Sequence, residues 1–302
     1  MSLPTKNLKK VFGGKIKFNE KLSKYNWFSS GGPAELFYKA DKEEELASFL
    51  KHIKSYNKTI NIIGAGSNTL IRDGGIKGVT IKLSSNFSYI NLLDENIIEA
   101  GAATLDKNVS NFSSIKSLSG LEFLSCIPGS VGGGVRMNSG CYGSDFSKIL
   151  LSIKVIDLNG NIKEIKRDKI DFFYRGCSLP ESLFILSAKF RGIPSNKKDI
   201  EAKVKHLIER KKESQPKGVK TCGSTFKNPD GLKAWKLIKD SNSDKFSVGD
   251  VKISDKHCNF FINNGHASSF EIEELINKVK ENVLKETGKT LEPEIKIIGD
   301  NI

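Results

Sequence analysis

Three polar residues interrupt otherwise ordinary stretches of this 302-residue chain: Arg175 after a tyrosine, Ser224 after a glycine and Glu294 after a proline. Taken singly, each fits a surface cation, a turn residue and an exposed charge before an edge strand. Taken together, they fit a site where a guanidinium fork meets a substrate carboxylate and a hydroxyl delivers a proton. Lys227 and Asn228, shortly after Ser224, add donors suited to a diphosphate.

A second set of residues offers bare backbone. The run from Ile127 to Gly140 carries Pro128, Gly129, Ser130, Gly132, Gly133, Gly134 and Gly140. Successive main-chain amides in such a run form an anion-binding nest, and a phosphate-bearing ligand is its natural guest. Pro128 fixes the start, and Val131, Val135 and Met137 supply an apolar side, so a short buried helix should follow. A second run, Gly64-Ala65-Gly66-Ser67-Asn68, comes directly after a β-rich apolar stretch. It is not a Rossmann turn: the third glycine of G-x-G-x-x-G would fall at Thr69, and Gly78 to Leu83 reads as a strand where a helix belongs. Two phosphate-friendly loops without a Rossmann helix imply a large cofactor with a pyrophosphate, held by another fold. A tight turn between core elements is the plain alternative for either run.

The elements that must position these residues follow from periodicity. Lys42 to Tyr56 is helical, with Leu46, Phe49, Leu50 and Ile53 on one face and Asp41 where a cap belongs. Strands are expected at 59–63, 79–83 and 96–100, and a helix at 105–115 delivers the chain to the longer glycine run. Ile153 and Val155 alternate with polar residues up to Asn159-Gly160, a hairpin turn, after which Ile162 resumes the pattern. Tyr174 to Ser178 reads as a loop and Leu183 to Phe190 as a buried strand. A change of character at Gly192 to Asn196 precedes a charged helix over 199–212, whose Arg210 is either solvated or reaches a phosphate. Then come a helix at 234–238, a strand at 258–262, a capping box at Ser268 to Glu271, and a helix with Ile272, Leu275, Ile276, Val279 and Val283 on one stripe. The stretch 291–299 closes the chain. The expected division is 1–195, in two lobes of about 20–85 and 86–195, followed by 196–302.

Composition sets limits. Apolar residues at 38% and charged residues at 27%, with only 8 prolines, describe a globular chain rather than a disordered one. No apolar span of membrane length occurs, and the segment Met1 to Asn7 lacks the apolar core of a secretory leader, so a cytoplasmic protein is expected. Five scattered cysteines, with no C-x-x-C pair, indicate neither zinc nor a disulfide framework and read as reduced, packed thiols. The four histidines are equally dispersed, and no metal site is read from them. The net charge of +13 is spread along the chain without aromatic interleaving, so it fits a solvated surface or a cleft for small anions better than a nucleic-acid interface.

The ordered stretches Gly31 to Ala34, Gly64 to Asn68, Ile127 to Gly133, Met137 to Gly143, Tyr174-Arg175, Gly223 to Pro229 and Leu291 to Glu294 resemble the UDP-N-acetylenolpyruvoylglucosamine reductase family over nearly the whole chain. The resemblance implies an α+β architecture: a two-lobed FAD-binding region of the vanillyl-alcohol-oxidase (PCMH) type and a C-terminal α+β substrate domain. It implies non-covalent FAD cradled by the two glycine loops, NADPH as reductant, and a UDP-sugar enolpyruvyl ether as substrate in peptidoglycan precursor synthesis. Ser224 carries over as proton donor, and Arg175 with Glu294 as the pair at the substrate carboxylate. A monomer acting without nucleic acid or membrane is expected. The short path from Arg175 to Leu183 leaves no room for the tyrosine-bearing insertion of some members, so the chain resembles the shorter subtype. That leaves Lys217, Lys227 and Asn228 as candidates to cover the diphosphate. Two rivals stand beside this reading: a flavin oxidase on the same fold, and a basic nucleotide- or RNA-binding protein. Arg136 and Cys222 lie beside the motifs without an assigned role.

Overall fold

Five antiparallel strands, in the order Ile162–Lys166, Leu150–Ile156, Phe184–Arg191, Ile97–Gly101 and Ile90–Asp94, form the largest sheet of the computed structural model, which describes residues 5–302. The terminus read above against a secretory leader begins with residues 1–4, which lie outside the described residues. Ile98, Ala100, Ile153, Val155, Ala188 and Phe190 are buried along this sheet because its strands carry branched and aromatic residues on the covered face. The expected hairpin is present. Its turn is organised by Asp157, whose Oδ1 accepts the N–H groups of Asn159 (2.8 Å) and Asn161 (2.9 Å), while Gly160 N–H donates to the Asp157 carbonyl.

The helices Asp106–Ile115 and Val131–Arg136 complete this layer, the second lying on Phe184–Arg191 and Ile97–Gly101. Val109, Val131, Val135, Phe146 and Phe190 share one apolar cluster. The short buried helix expected after Pro128 is therefore found. A second sheet runs Ile16–Lys21, Pro33–Ala40, Ile76–Leu83, Ile60–Ile62, with Ile60 opposite Val79 in parallel register. The helix Glu43–Lys54 buries Leu46, Phe49, Leu50 and Ile53 as its spacing requires, and Phe49 stacks on Tyr38 at 3.8 Å. Asp41 is not its cap. The N-cap is Lys42, without a side-chain hydrogen bond, and Glu43, Glu44 and Glu45 serve the helix dipole instead, while Asp41 pairs with Lys15 at 3.5 Å.

Two compact units are interleaved along the chain. One holds the described residues up to 17 together with 37–65 and 79–211; the other holds 18–36, 66–78 and 212–302. The line falls after Lys211 because the helix Lys197–Ser214 buries Ile200 and Leu207, and because Lys211 Nζ donates to the Cys126 carbonyl at 2.9 Å. The change of character before that helix is a short strand, Ile193–Pro194, paired with Leu118–Ser119.

In the second unit the strands Ser247–Val248, Val251–Ile253 and Phe261–Asn263 form one sheet. The stripe Ile272, Leu275, Ile276, Val279 and Val283 of the helix Ser269–Thr287 is buried with Phe226, Phe261 and Ile295, and both halves of the Ser268/Glu271 capping box are formed. Within the expected stretch 291–299 only Lys296–Ile298 is a strand. It pairs in parallel with Thr69–Ile71, a strand too short to show as periodicity.

Candidate active site and cofactor cavity

A cavity of about 380 Å³ opens in the first unit, and the two glycine loops meet at it. Gly64, Ala65, Ser130, Gly132 and Gly133 line it, as do Lys82, Ser84, Ser85 and Arg136. Ser130 Oγ stands between the loops: a Cβ on Gly64 would lie 3.0 Å from it, and one on Gly133 3.9 Å. The nest expected along the whole longer run is narrower than that. Val131 N–H donates to the Thr104 carbonyl at 2.9 Å and Gly132 N–H to the Ala102 carbonyl at 3.0 Å, so these amides tie the helix to its neighbours.

The donor set suits a phosphate-bearing cofactor. Lys82 Nζ lies 2.6 Å from the Gly64 carbonyl, and burial, with Lys39 contributing, holds its ammonium below the usual lysine range. A phosphate brought into the cavity would offset that desolvation. Serine hydroxyls and glycine backbone complete a wall that admits a dinucleotide closely. The residues present therefore fit FAD.

Other glycines of the runs serve the protein itself. Gly66 has φ +69°, and a Cβ there would lie 1.9 Å from the Tyr25 carbonyl, so no other residue fits. A Cβ on Gly134 would strike the Phe146 ring at 2.3 Å. Gly140 pairs with Asp145 in a two-residue ladder, and Gly129 lies against the buried carboxyl of Asp106. Pro128, Gly129, Gly134 and Gly140, with Gly66, Ser67 and Asn68, do not line the cavity.

Arg136 acquires a structural role. Its guanidinium donates to the carbonyls of Leu179 (2.7 Å), Pro180 (3.1 Å) and Leu183, which pins the glycine helix to the segment before Phe184–Arg191. Arg175 sits at the tip of a hairpin, since Phe173 pairs with Gly176 across Tyr174-Arg175. Its φ of +59° is left-handed, a conformation that disfavours side chains and that concentrates at functional positions. The guanidinium lies 5.0 Å from the Tyr174 ring centroid. Only residues 178–183 separate this hairpin from the next long strand. Arg210, near the end of its helix, lies over the Tyr142 ring at 4.7 Å.

In the second unit, Ser224, Asn68 and Glu294 are brought together by main-chain pairing. Ser224 bridges Phe260, and Phe226 bridges Pro293, so the segment 224–227 runs between two neighbours. Glu294 N–H donates to the Thr225 carbonyl at 2.8 Å and Lys227 N–H to the Glu292 carbonyl at 2.9 Å. Asn259 holds the other side, its Oδ1 accepting Phe226 N–H and its Nδ2 donating to the Phe226 carbonyl. Asn68 Nδ2 donates to the Glu294 carbonyl at 3.1 Å, and Lys296 N–H donates to the Asn68 carbonyl, so a residue of the first loop clasps the acid's backbone. Lys227 Nζ is 3.3 Å from Glu292 Oε2. Asn228 Oδ1 accepts Ala234 N–H at 3.0 Å. Cys222 is a buried neutral thiol: burial pushes it up to about 12, and its Sγ lies 3.4 Å from the Thr69 carbonyl.

Residues 34–166 match the profile of an FAD binding domain, and residues 215–298 match that of the UDP-N-acetylenolpyruvoylglucosamine reductase C-terminal domain. The UDP-N-acetylenolpyruvoylglucosamine reductase of Pelagibacter ubique is 47% identical over 287 residues, covering 94% of this chain and 95% of that protein. The chain belongs to this reductase family. The enzyme of the same name from Rickettsia bellii is 43% identical, covering 96% of this chain and 95% of the other. The crystal structure of the reductase from Thermus caldophilus superposes with a TM-score of 0.81 at 28% identity, covering 94% of this chain and 98% of that one. The fold is thus an α+β arrangement of an FAD binding domain with a reductase C-terminal domain, and the chain is an FAD-dependent oxidoreductase.

For a reductase of this family, the polar cavity residues outside the glycine runs that sequence reasoning did not single out are Lys82, Ser84, Ser85 and Ser88. Gly132 belonged to a recognised run. Lys82 had no signal, being one lysine among many at the end of a strand. Among the described residues no group of three or more His, Cys, Asp or Glu is placed to hold a metal ion, and no helix is long and apolar enough to cross a membrane.

Proposed function

We propose that this chain reduces the enolpyruvyl ether of UDP-N-acetyl-3-O-(1-carboxyvinyl)-glucosamine to UDP-N-acetylmuramate with NADPH, using Ser224 as proton donor and Arg175 and Glu294 at the substrate carboxylate. FAD, when bound, supplies hydride transfer between the two. Gly64, Ala65, Ser130, Gly133 and Lys82 hold the cofactor, and Gly66, Ser67 and Asn68 continue the first loop toward Glu294. The observation that carries the assignment is the pairing of Thr225 with Glu294, which sets the serine and the acid on neighbouring segments clasped by Asn68.

Hydride addition to the vinyl carbon leaves negative charge delocalised into the carboxylate, an acceptor basic enough for an alcohol to protonate. Ser224 therefore needs no activating histidine. Arg175, held in a left-handed turn, presents a fixed cation to that charge. Glu294 contributes either protonated or by orienting a cation, since a free anion would repel the substrate. Lys217, Lys227 and Asn228 Nδ2 face the diphosphate in place of the absent tyrosine insertion. Residues 1–195 serve the cofactor and, through Arg175, the substrate carboxylate, and 196–302 serve the substrate. The enzyme works as a cytoplasmic monomer, without nucleic acid or membrane.

Anaerobic stopped-flow tests this reading. Protein purified with its yellow flavin, reduced by NADPH, is reoxidised by the UDP-enolpyruvyl sugar. A colourless protein, or a reduced one that the sugar leaves unchanged, refutes it.

A further inference from the structure

The base of the longer glycine run is closed by two thiols. Cys126 ends the turn Glu122–Cys126 and Cys141 ends the strand Gly140–Cys141, and these two elements pack on one another. The two thiols are near enough to shift each other's acidity. Cys141 Sγ lies 3.4 Å from the Phe123 carbonyl in the same turn, and Ser125 Oγ lies 3.7 Å from Cys126 Sγ. Lys211 Nζ, hydrogen-bonded to the Cys126 carbonyl, places an ammonium beside both sulfurs. The neighbouring Cys141, aided by Ser125 and Lys211, draws the Cys126 thiol below its ordinary range, while Cys126 and burial raise that of Cys141. Cys177, Cys222 and Cys258 donate to the main-chain carbonyls of Arg136, Thr69 and Trp235. The proposed reduction uses neither Cys126 nor Cys141.

We propose that Cys126 and Cys141 form a dithiol site oxidised by hydrogen peroxide to a reversible disulfide that staples the run 127–140. The Cys126 thiolate attacks one peroxide oxygen; the O–O bond breaks, a sulfenic acid forms, and hydroxide leaves to be protonated to water. The Cys141 sulfur then attacks the Cys126 sulfur; the S–S bond forms, the S–O bond breaks, and the departing hydroxyl takes the Cys141 proton as a second water. Two thiols and one peroxide become one disulfide and two waters. The staple restrains Ser130, Gly132 and Gly133 in the cavity wall, so the oxidised protein releases FAD more slowly. That consequence rests on the cavity being the cofactor site; the oxidation does not.

The test is peptide mapping of the holoenzyme after brief hydrogen peroxide treatment and alkylation. The expected result is a Cys126–Cys141 crosslinked peptide, three alkylated cysteines of the five present, and full reversal by dithiothreitol. In Cys141→Ser, Cys126 should instead be trapped by dimedone as a sulfenic acid. Five alkylated cysteines, a crosslink to Cys177, or direct conversion of wild-type Cys126 to sulfinic acid would overturn the site. FAD release should slow several-fold in the mapped oxidised protein and not in peroxide-treated Cys141→Ser; equal rates with the bond present would overturn the stapling alone.

Discussion

Adjacent glycines of one helix should respond to alanine in opposite ways. At Gly134 the added Cβ would lie 2.3 Å from Phe146 Cζ and 2.4 Å from Cε2. Carbon atoms pack best at about 3.5–4.0 Å, so the ring or the helix must move by more than an ångström. The ring has nowhere to go: Phe146 is fully buried, edge-on to Phe123 at 6.3 Å and to Phe190 at 5.8 Å. Overpacking of this kind costs about 1–3 kcal/mol, and this contact belongs at the upper end. Alanine's better helix propensity returns about 1 kcal/mol, so Gly134→Ala should lose about 2 kcal/mol of fold stability. Replacing Phe146 by Leu in the same chain should recover part of that loss, a coupling that distant sites would not show.

Gly133 is the opposite case. Its Cβ would meet only Ser130 Oγ, at 3.9 Å, and the position faces the cavity. Gly133→Ala should leave the apoprotein as stable as before, or up to about 1 kcal/mol more stable, while the methyl group occupies room the cofactor needs. If that steric loss matches core overpacking, at about 1–3 kcal/mol, FAD affinity falls by about 5- to 150-fold. Urea unfolding of the apoproteins followed by circular dichroism, with FAD titration by fluorescence quenching, reads both quantities. A Gly134→Ala protein as stable as wild type, or a Gly133→Ala protein that is destabilised yet binds FAD normally, refutes the division of the run into packing and cofactor positions.

Ser224→Ala should leave flavin reduction by NADPH intact and slow reoxidation by the UDP-enolpyruvyl sugar by about 10²- to 10⁴-fold; an unaltered reoxidation rate in rapid mixing removes Ser224 as donor. Lys82→Met should weaken FAD binding by about 10-fold or more, the loss of one hydrogen bond to a charged group, and unchanged affinity in equilibrium dialysis would remove Lys82 from the cofactor site. Asp106 is fully buried, its two carboxyl oxygens have no hydrogen-bond partner, and burial raises its pKa well above the ordinary carboxylate range. The folded state therefore holds a proton that the unfolded state sheds above about pH 4, and the wild type loses stability as pH rises through that window by up to about 1.4 kcal/mol per unit. Asp106→Asn should match the wild type near pH 4 and become progressively more stable than it toward neutrality; parallel stability curves across that range would show that Asp106 is ionised in the folded protein.

What periodicity could reveal was local. The stripe from Ile272 to Val283, the Ser268 capping box and the face Leu46 to Ile53 each declare themselves within a few helical turns, because burial repeats at 3.6 residues. The glycine runs were visible by composition, yet their individual duties were not. Gly133 and Gly134 are the same residue one step apart, and a helix advances about 100° per residue, so one looks into the cavity while the next meets Phe146, a ring supplied from outside the run. Gly66 answers to the Tyr25 carbonyl, and Asn68 to a carbonyl 226 positions away. No local pattern encodes such approaches. The same holds for Lys82, made distinctive only by the Gly64 carbonyl and the cavity beside it. Side chains that meet partners close in sequence can be assigned from spacing, whereas a backbone atom that must stay bare is explained only by the atom that fold topology brings against it. That is why Ser224, Arg175 and Glu294 drew attention as chemistry, while Asn259, which holds the backbone of Phe226 beside them, did not, and Asn68 drew it only as part of a glycine run.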